Sequence, residues 1–192
     1  MLEIVQLSDS LIIGKGRDRI CYEHPTAYEQ CIKISKTNDK QSMREMSYFS
    51  FLKRKNTDLS KISTFLDSVK TNKGLGYTFL LIRDHDGKVS KTLLQSLQSK
   101  DFTTDDIRPL LSDLKEYLIN NKICIKDISP SNISCQKTLA GINLMIIDGV
   151  SNSNINPLTI RLDTLINAAI DKAWKGLERK LVRIEKSFEK EL

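Results

Sequence analysis

The chain has 192 residues, of which 40% are hydrophobic and 28% are charged. This length suits one domain or two small lobes, and no apolar stretch is long enough to cross a bilayer. The N-terminus lacks the basic start and apolar centre of a signal peptide, so we expect a cytoplasmic protein, with a peripheral membrane contact left open. The net charge of +6 favours anionic partners: nucleotides, phosphorylated sugars, nucleic acid or acidic lipid headgroups.

The four cysteines and two histidines argue against a zinc site and against a Ser-His-Asp triad. The sequence contains no Cys-x-x-Cys pair, and each cysteine lies in or near an apolar run, which predicts buried reduced thiols. Neither His24 nor His85 has a second soft ligand beside it in the sequence.

Residues 11–35 predict three strands, because short apolar runs are separated by turn residues. The first turn contains Gly14, Lys15 and Gly16. A Gly-x-Gly turn between strands can bring backbone N–H groups close to a phosphate, because no Cβ blocks the approach. An ordinary hairpin turn accounts for the same residues, so the glycines alone do not decide between the two interpretations.

Residues 39–55 predict a helix, and Glu45 lies near the edge of its apolar side. A carboxylate in that position is either a solvated salt-bridge partner or the partner of a lysine on the preceding strand. Lys33 is the available lysine. Residues 62–83 then predict a second hairpin, followed by a polar linker that ends at Gly87 and that we take as a lobe boundary.

Two helices are predicted next, a short one over residues 90–98 and a longer one from about Asp106 to Asn120. Pro109 is acceptable only in a first helical turn, which places the start of the longer helix near Asp106. Residues 159–190 predict an amphipathic terminal helix or helix pair. Basic residues decorate its polar side: Lys172, Lys175, Arg179, Arg183, Lys186 and Lys190. That side is either a solvated face or a binding surface for an acidic partner.

The stretch from Ile123 to Ile133 places Asp127 five positions ahead of Asn132. An apolar run follows and ends in Asp148-Gly149. Two carboxylates and an amide beside a phosphate-binding loop are the groups that metal-assisted phosphoryl transfer needs.

In this order the motifs resemble the protein-kinase-like fold. Lys33 in Cys-Ile-Lys-Ile matches the Val-Ala-Ile-Lys lysine, and Glu45 matches its helix partner. The stretch from Lys126 to Asn132 matches the catalytic loop His-Arg-Asp-x-Lys-Pro-x-Asn, and Asp148 matches the aspartate of Asp-Phe-Gly.

The resemblance implies an α+β, bilobal fold. Residues 1–84 would form an antiparallel-sheet N-lobe that binds nucleotide. Residues 85–192 would form a reduced, mainly helical C-lobe, and the two lobes would make one kinase-like domain. The segment 77–84 would include the linker that cradles adenine.

More narrowly, the sequence resembles the YrbL family of bacterial proteins, which belongs to the PhoP regulatory network. The matching stretches are Ile13-Gly-Lys-Gly-Arg-Asp-Arg-Ile-Cys-Tyr-Glu-His-Pro25, Gln30-Cys-Ile-Lys-Ile34, Asp86-Gly87-Lys88 and Ser129-Pro-Ser-Asn-Ile133. The resemblance covers about residues 10–150 and leaves the terminal helix outside.

The resemblance also assigns roles, with ATP and Mg²⁺ as cofactors. Lys33, held by Glu45, would fix the α- and β-phosphates, and Asn132 and Asp148 would hold the metal. Asp127 would orient the acceptor hydroxyl and take its proton. The loop Gly14-Lys15-Gly16 would close over the phosphates.

Several supporting positions depart from the kinase pattern. Arg19 stands where kinases place a third glycine, and Ile125 and Lys126 replace His-Arg. Ser129 replaces the loop lysine, and Gly149 replaces the phenylalanine of Asp-Phe-Gly. Such substitutions occur both in kinases that act on small molecules and in pseudokinases.

We therefore expect a phosphotransferase, and two alternatives stay open. The chain after Asp148 is too short for the activation segment and helices of a peptide kinase, which favours a hydroxyl on a small molecule or saccharide as acceptor. One alternative is a pseudokinase-type regulatory protein that binds nucleotide without turnover. The other is a basic protein that binds nucleic acid or a membrane surface through residues 172–190.

Overall fold

The protein was studied as a computed structural model that describes residues 4–125, 128–151 and 163–189. The N-terminal part is an antiparallel sheet of five strands in the order β1-β2-β3-β5-β4. Its strands are β1 Ile12–Lys15, β2 Arg19–Glu23, β3 Gln30–Ser35, β4 Phe65–Thr71 and β5 Gly74–Leu80. A short 3-10 helix, Asp9–Leu11, precedes β1.

Strand β3 is the centre of this sheet, and its alternating residues serve two cores. Ile32 and Ile34 point to a small apolar cluster on one side of the sheet. Cys31 points to the main core on the other side, and the period-2 geometry of a strand places Lys33 on that same side. The three predicted strands of residues 11–35 and the second hairpin are thus confirmed.

Helix α1, Lys40–Arg54, connects β3 to β4 and matches the helix predicted over residues 39–55. Its buried side carries Glu45, Tyr48, Phe49 and Leu52. Phe49 packs edge-on against Phe79 of β5, with ring centroids 6.2 Å apart. The helix thereby covers the main-core side of the sheet and carries Glu45 under it.

The C-terminal part contains three further helices of the described residues and a separate two-stranded hairpin. These elements are α2 Leu93–Gln98, α3 Thr104–Asn120, β6 Ile133–Thr138, β7 Gly141–Ile146 and α4 Asp163–Glu189. Strand β6 was not among the predicted elements. A 3-10 turn, Pro130–Asn132, leads directly into it.

Helix α3 begins two residues earlier than Pro109 suggested. Thr103 caps it, because its hydroxyl accepts from the Asp106 N–H while the Asp106 carboxylate accepts from the Thr103 N–H. This capping box fixes the start at Thr104. Pro109 therefore lies beyond the first turn, and the carbonyl it leaves without a helical donor belongs to Asp105, an exposed residue that water can reach.

Helix α4 is one continuous helix over its described length. Apolar residues at helical spacing bury one side of it: Ile166, Ile170, Trp174, Leu177 and Leu181. They pack in the main core with Leu111, Leu114 and Leu118 of α3. Among the basic residues predicted for the polar side, those at 172, 175, 179, 183 and 186 are exposed, and Lys190 lies outside the described residues.

The N-terminal sheet meets the β6–β7 hairpin through a set of hydrogen bonds that we call the polar crossing, formed by Arg83, Asp84, His85, Gln136 and Lys137. The Asp84 carboxylate accepts from the Lys137 N–H at 2.9 Å, and the His85 N–H donates to the Lys137 carbonyl at 2.8 Å. Gln136 donates its side-chain N–H to the Arg83 carbonyl at 2.9 Å. The predicted linker is therefore fixed to the hairpin.

These observations confirm an α+β fold with an antiparallel sheet. The bilobal, kinase-like arrangement and the division at residue 84 stay predictions. No helix within residues 4–125, 128–151 and 163–189 is long and apolar enough to cross a membrane. All four cysteines are free thiols, with Cys31 and Cys135 buried and the other two partly buried.

Candidate functional site

Four charged side chains meet where the sheet, α1 and the end of β7 come together. We call Arg19, Lys33, Glu45 and Asp148 the charged cluster. Arg19 begins β2, Lys33 lies in β3, Glu45 lies in α1 and Asp148 follows β7. The register places Arg19 opposite Ser35 and Cys21 opposite Lys33, so the alternation of β2 and β3 brings Arg19 and Lys33 to the same face.

Glu45 is 2% exposed, and its carboxylate is held by Arg19. Arg19 Nη1 donates to Glu45 Oε2 at 2.6 Å, and Arg19 Nη2 donates to Oε1 at 3.1 Å. Gln41 adds a third bond, from Nε2 to Oε1 at 3.1 Å. We expected Lys33 to bind the Glu45 carboxylate. In the structure Arg19 binds it instead, because the guanidinium fork can reach both of its oxygens.

Lys33 is directed instead toward the end of β7. Its Nζ donates to the Ile147 carbonyl at 2.7 Å and lies 4.0 Å from Asp148 Oδ1. The ammonium also lies 4.2 Å from the centroid of the Phe79 ring. The structure thus brings Lys33 and Asp148 together, although they are far apart in sequence.

Asp148 accepts hydrogen bonds from two directions. Arg19 Nη2 donates to Asp148 Oδ1, and the Gly149 N–H donates to the same oxygen at 2.8 Å. Burial alone would raise the pKa of the Asp148 carboxyl, but Lys33 and Arg19 outweigh it and hold that pKa below its usual value. Conversely, burial would lower the pKa of Arg19, and Asp148 and Glu45 together raise it. The Asp148 carboxyl and the Arg19 guanidinium are thus both ionised near neutral pH.

The predicted phosphate loop lies at the tip of the β1–β2 hairpin, just before Arg19. The Gly16 N–H donates to the Arg19 carbonyl at 2.9 Å, and Lys36 donates to the Gly16 carbonyl at 2.6 Å. Gly14 lies against Cys21, where an added Cβ would be 3.8 Å from the cysteine Cβ. Lys15 is exposed. The loop therefore borders the cluster through its backbone.

The remaining predicted site residues are Asn132 and Asp127. The backbone carbonyl of Asn132 accepts from the N–H of Ile147, the residue before Asp148, at 2.9 Å. Asp127, our predicted base, lies outside the described residues, as does Lys126.

The thiols of Cys21 and Cys31 lie next to Lys33 on the same face of the sheet. A hydrogen bond between them raises the pKa of Cys21, and burial raises it further. The same bond, received from Cys21, lowers the pKa of Cys31. These two cysteines line the face that carries the charged cluster.

The sequence matches the family described as PhoP regulatory network protein YrbL over residues 5–182. It is also 34% identical, over 179 residues, to the uncharacterized protein YrbL of Escherichia coli (strain K12) and to that of Shigella flexneri. Each alignment covers 90% of this chain and 85% of the relative. The chain belongs to the YrbL family.

The family match extends further than the resemblance seen in the sequence. We expected it to end near residue 150, before the terminal helix. The match to the YrbL family reaches residue 182 and so includes most of α4. The helix that packs against α3 is therefore part of what the family shares.

The cluster itself encloses little free space. The cavity between Lys33, Glu45 and Asp148 has a volume of about 10 Å³, which is about the room that one water molecule needs. A larger cleft of about 580 Å³ lies along the segment from Leu80 to His85, with Met145 of β7 in its wall. Met145 is two residues from Ile147, and Leu80 follows Phe79, so both spaces border the same two strands.

The donor atoms near Asp148 suit a magnesium ion chemically. Mg²⁺ prefers oxygen ligands, and a carboxylate and a side-chain amide both supply them. Asp148 and Asn132 are the residues that would hold it, and the ion would neutralise charge on a bound phosphate. Within the described part of the chain, no group of three or more His, Cys, Asp or Glu side chains is placed to bind a metal ion.

Arg19 is the functional candidate that sequence reasoning missed. It was seen only as a departure from a glycine pattern, whereas it contacts both carboxylates of the cluster. The available signal was its position in a short strand, two residues before Cys21, which gives it the face of Lys33 once the strands are paired. Its partners are 26 and 129 positions away, and only the fold reveals them.

Proposed function

We propose that this YrbL-family protein is an ATP-dependent phosphotransferase that acts on a hydroxyl of a small molecule or saccharide. The observation that carries the proposal is the meeting of Lys33 and Asp148, 4.0 Å apart, between the sheet and the end of β7. A lysine from a sheet beside an aspartate and an asparagine is the arrangement that positions a phosphate and its metal.

The roles follow from charge and donor type. Lys33 would bind the α- and β-phosphates, and Glu45 would act through Arg19 rather than through Lys33. The loop of Gly14, Lys15 and Gly16 would approach the phosphates, and the cleft along residues 80–85 would take the base.

The transfer step replaces one phosphorus–oxygen bond with another. The acceptor oxygen forms a bond to the γ-phosphorus while the bond to the bridging oxygen breaks, and ADP leaves with the electron pair. The hydroxyl proton passes to the Asp127 carboxylate. Lys33 holds the phosphates in place, because a fixed ammonium costs no reorganisation at the moment of transfer.

One observation supports a small acceptor. After Asp148, the described chain consists of the segment to Ser151 and the helix α4, whose apolar side is used against α3. The apolar side of α4 is thus used within the fold and is not available to a protein substrate. The acidic partner expected for the exposed basic residues of α4 is a separate proposal and does not concern the acceptor.

The test is a binding and turnover measurement on purified protein. We expect isothermal titration to detect magnesium-ATP, and Lys33→Met to lose that binding because the phosphates lose their cation. Asp127→Asn should keep nucleotide binding and lose ADP release in the presence of hydroxyl acceptors. Phosphorylation of peptides alone, or of the protein itself alone, would show that the acceptor is wrongly assigned.

A second candidate, a regulatory protein that binds nucleotide without turnover, is favoured by one contact. Arg19 forms an ion pair with Asp148, the carboxylate that would have to bind the metal ion in phosphoryl transfer. For this candidate the wild type binds nucleotide and releases no ADP, and Asp127→Asn still complements a deletion strain. Complementation by Asp127→Asn would therefore decide for the second candidate.

A further inference from the structure

We infer that Arg19 competes with a divalent cation for Asp148, so that the carboxylate exchanges the guanidinium for the ion when the site fills. The inference deepens the proposed function and rests on it, because it concerns the same site. It makes Arg19 a positioning residue that sets the affinity for the metal.

The geometry gives Arg19 two carboxylates and leaves the site almost no free volume. Arg19 is 8% exposed and bonds both oxygens of Glu45 as well as Asp148 Oδ1. The cavity beside these groups is about 10 Å³, which is too small for a hydrated ion. The Asp148 side chain is 33% exposed, so an ion can approach it from solvent. Because Arg19 bonds Asp148 Oδ1, an ion can take that oxygen only if the guanidinium moves away from it.

The charges of the cluster explain why the exchange is feasible. Arg19 and Lys33 balance Glu45 and Asp148, so the closed cluster carries no net charge. When Arg19 releases Asp148, it still has its two bonds to Glu45, at 2.6 and 3.1 Å. A buried cation that keeps one carboxylate partner avoids the large cost of an isolated buried charge. Glu45 therefore retains Arg19 while Asp148 is exchanged.

Lys33 is held in a different way and does not take part in the exchange. Its short bond goes to the Ile147 carbonyl at 2.7 Å, and its distance to Asp148 is 4.0 Å. It can stay in place when an ion binds. The competition is thus specific to Arg19.

The test measures the affinity of the full chain for Mn²⁺, without nucleotide, by electron paramagnetic resonance. In Arg19→Gln/Glu45→Gln, both groups of the buried pair become neutral and Asp148 loses its competitor, so Mn²⁺ should bind at least about tenfold more tightly. In Glu45→Gln alone, Arg19 keeps only Asp148, so Mn²⁺ should bind several-fold more weakly. Opposite changes in these two variants cannot come from a general loss of folding, which would weaken both.

Two controls locate the effect. Arg17→Gln removes the same charge from a side chain that is 91% exposed and paired with Asp18, so it should leave the Mn²⁺ affinity unchanged. Asp148→Asn in the double variant should abolish the gain. Equal affinity in wild type and double variant, weaker binding by the double variant, or a gain that survives Asp148→Asn would each overturn the inference.

A titration of magnesium-ATP into the wild type separates this inference from the proposed function. If nucleotide fails to bind but Mn²⁺ binding changes in opposite directions in the two variants, the proposed function fails and the competition stands. If nucleotide binds and the two variants do not differ from wild type, the competition fails alone.

Discussion

Two of the contacts between the N-terminal part of the described chain and the β6–β7 hairpin use different chemistry. At the charged cluster the contact is made by ionised side chains, and each cation has a choice of partners. At the polar crossing most bonds involve backbone groups, such as the Lys137 N–H and the Arg83 carbonyl. Backbone groups fixed in a strand have one geometry, whereas side-chain ion pairs can be exchanged. The crossing therefore fixes the position of the hairpin, whereas the exchange of partners at the charged cluster is the inference proposed above.

The largest expected effect is at the cluster. Arg19→Ala leaves Glu45 buried without its main cation, which should lower the free energy of unfolding by about 3–5 kcal/mol. Arg19→Met/Glu45→Met removes both charges and should cost less than half as much. Urea unfolding measures both. Arg17→Ala, at an exposed arginine, is the matched control. If Arg19→Ala lowers the free energy of unfolding no more than Arg17→Ala does, the charged cluster does not have the stabilising role described here.

At the polar crossing we expect a smaller loss. Asp84 Oδ1 accepts from the Ser90 hydroxyl at 2.5 Å and from the Lys137 N–H at 2.9 Å. Asp84→Ala leaves these donors without an acceptor and should cost about 1–3 kcal/mol of unfolding free energy. Asp86→Ala, two residues along, removes a pair with Lys88, whose side chain is 82% exposed, and should leave the urea midpoint unchanged. Equal midpoints for the two variants would refute a structural role for Asp84.

The smallest expected effect is on how stability changes with pH, and it comes from Asp101, beside the polar crossing. A hydrogen bond from Lys91 lowers the pKa of Asp101 below its usual 3.8. Burial opposes this shift, and the charge of Lys137 adds to it. The unfolded chain takes up this proton first as the pH falls, so the stability contributed by Asp101 is present above pH 3.8 and is lost through the lower, folded-state pKa.

Unfolding free energies of wild type and Asp101→Asn should therefore differ by a constant amount from about pH 5 to 7 and converge below about pH 4. Asp113→Asn, at an exposed position of α3, serves as the control. A difference that persists unchanged into acid would show that the Lys91 bond does not hold the carboxylate.

Local sequence signals predicted most of the fold, and the errors have identifiable causes. Strand β3 and helix α1 follow from alternation and helical spacing. Strand β6 is not predicted because its first three residues are all buried and do not alternate. The start of α3 was misplaced because the capping box at Thr103 determines it, whereas Pro109 is tolerated further inside.

The candidate site was predictable where it depends on motifs and unpredictable where it depends on register. Lys33 and Asp148 were named from their local context, and the structure brings them together. The resemblance to kinases named Lys33 as the partner of Glu45. Strand pairing instead brings Arg19, whose side chain is longer and forked, close to the Glu45 carboxylate. No local pattern in the sequence specifies which of two basic side chains on one face will reach a given carboxylate.

The position of the one tryptophan decides how unfolding can be observed. Trp174 is 6% exposed and lies on the buried side of α4, in the main core. Its fluorescence therefore reports the loss of packing around α4. Coincident transitions of the indole and of a probe attached to the sheet would show cooperative unfolding of the whole chain. Separate midpoints would show that the N-terminal sheet can open while α4 stays packed.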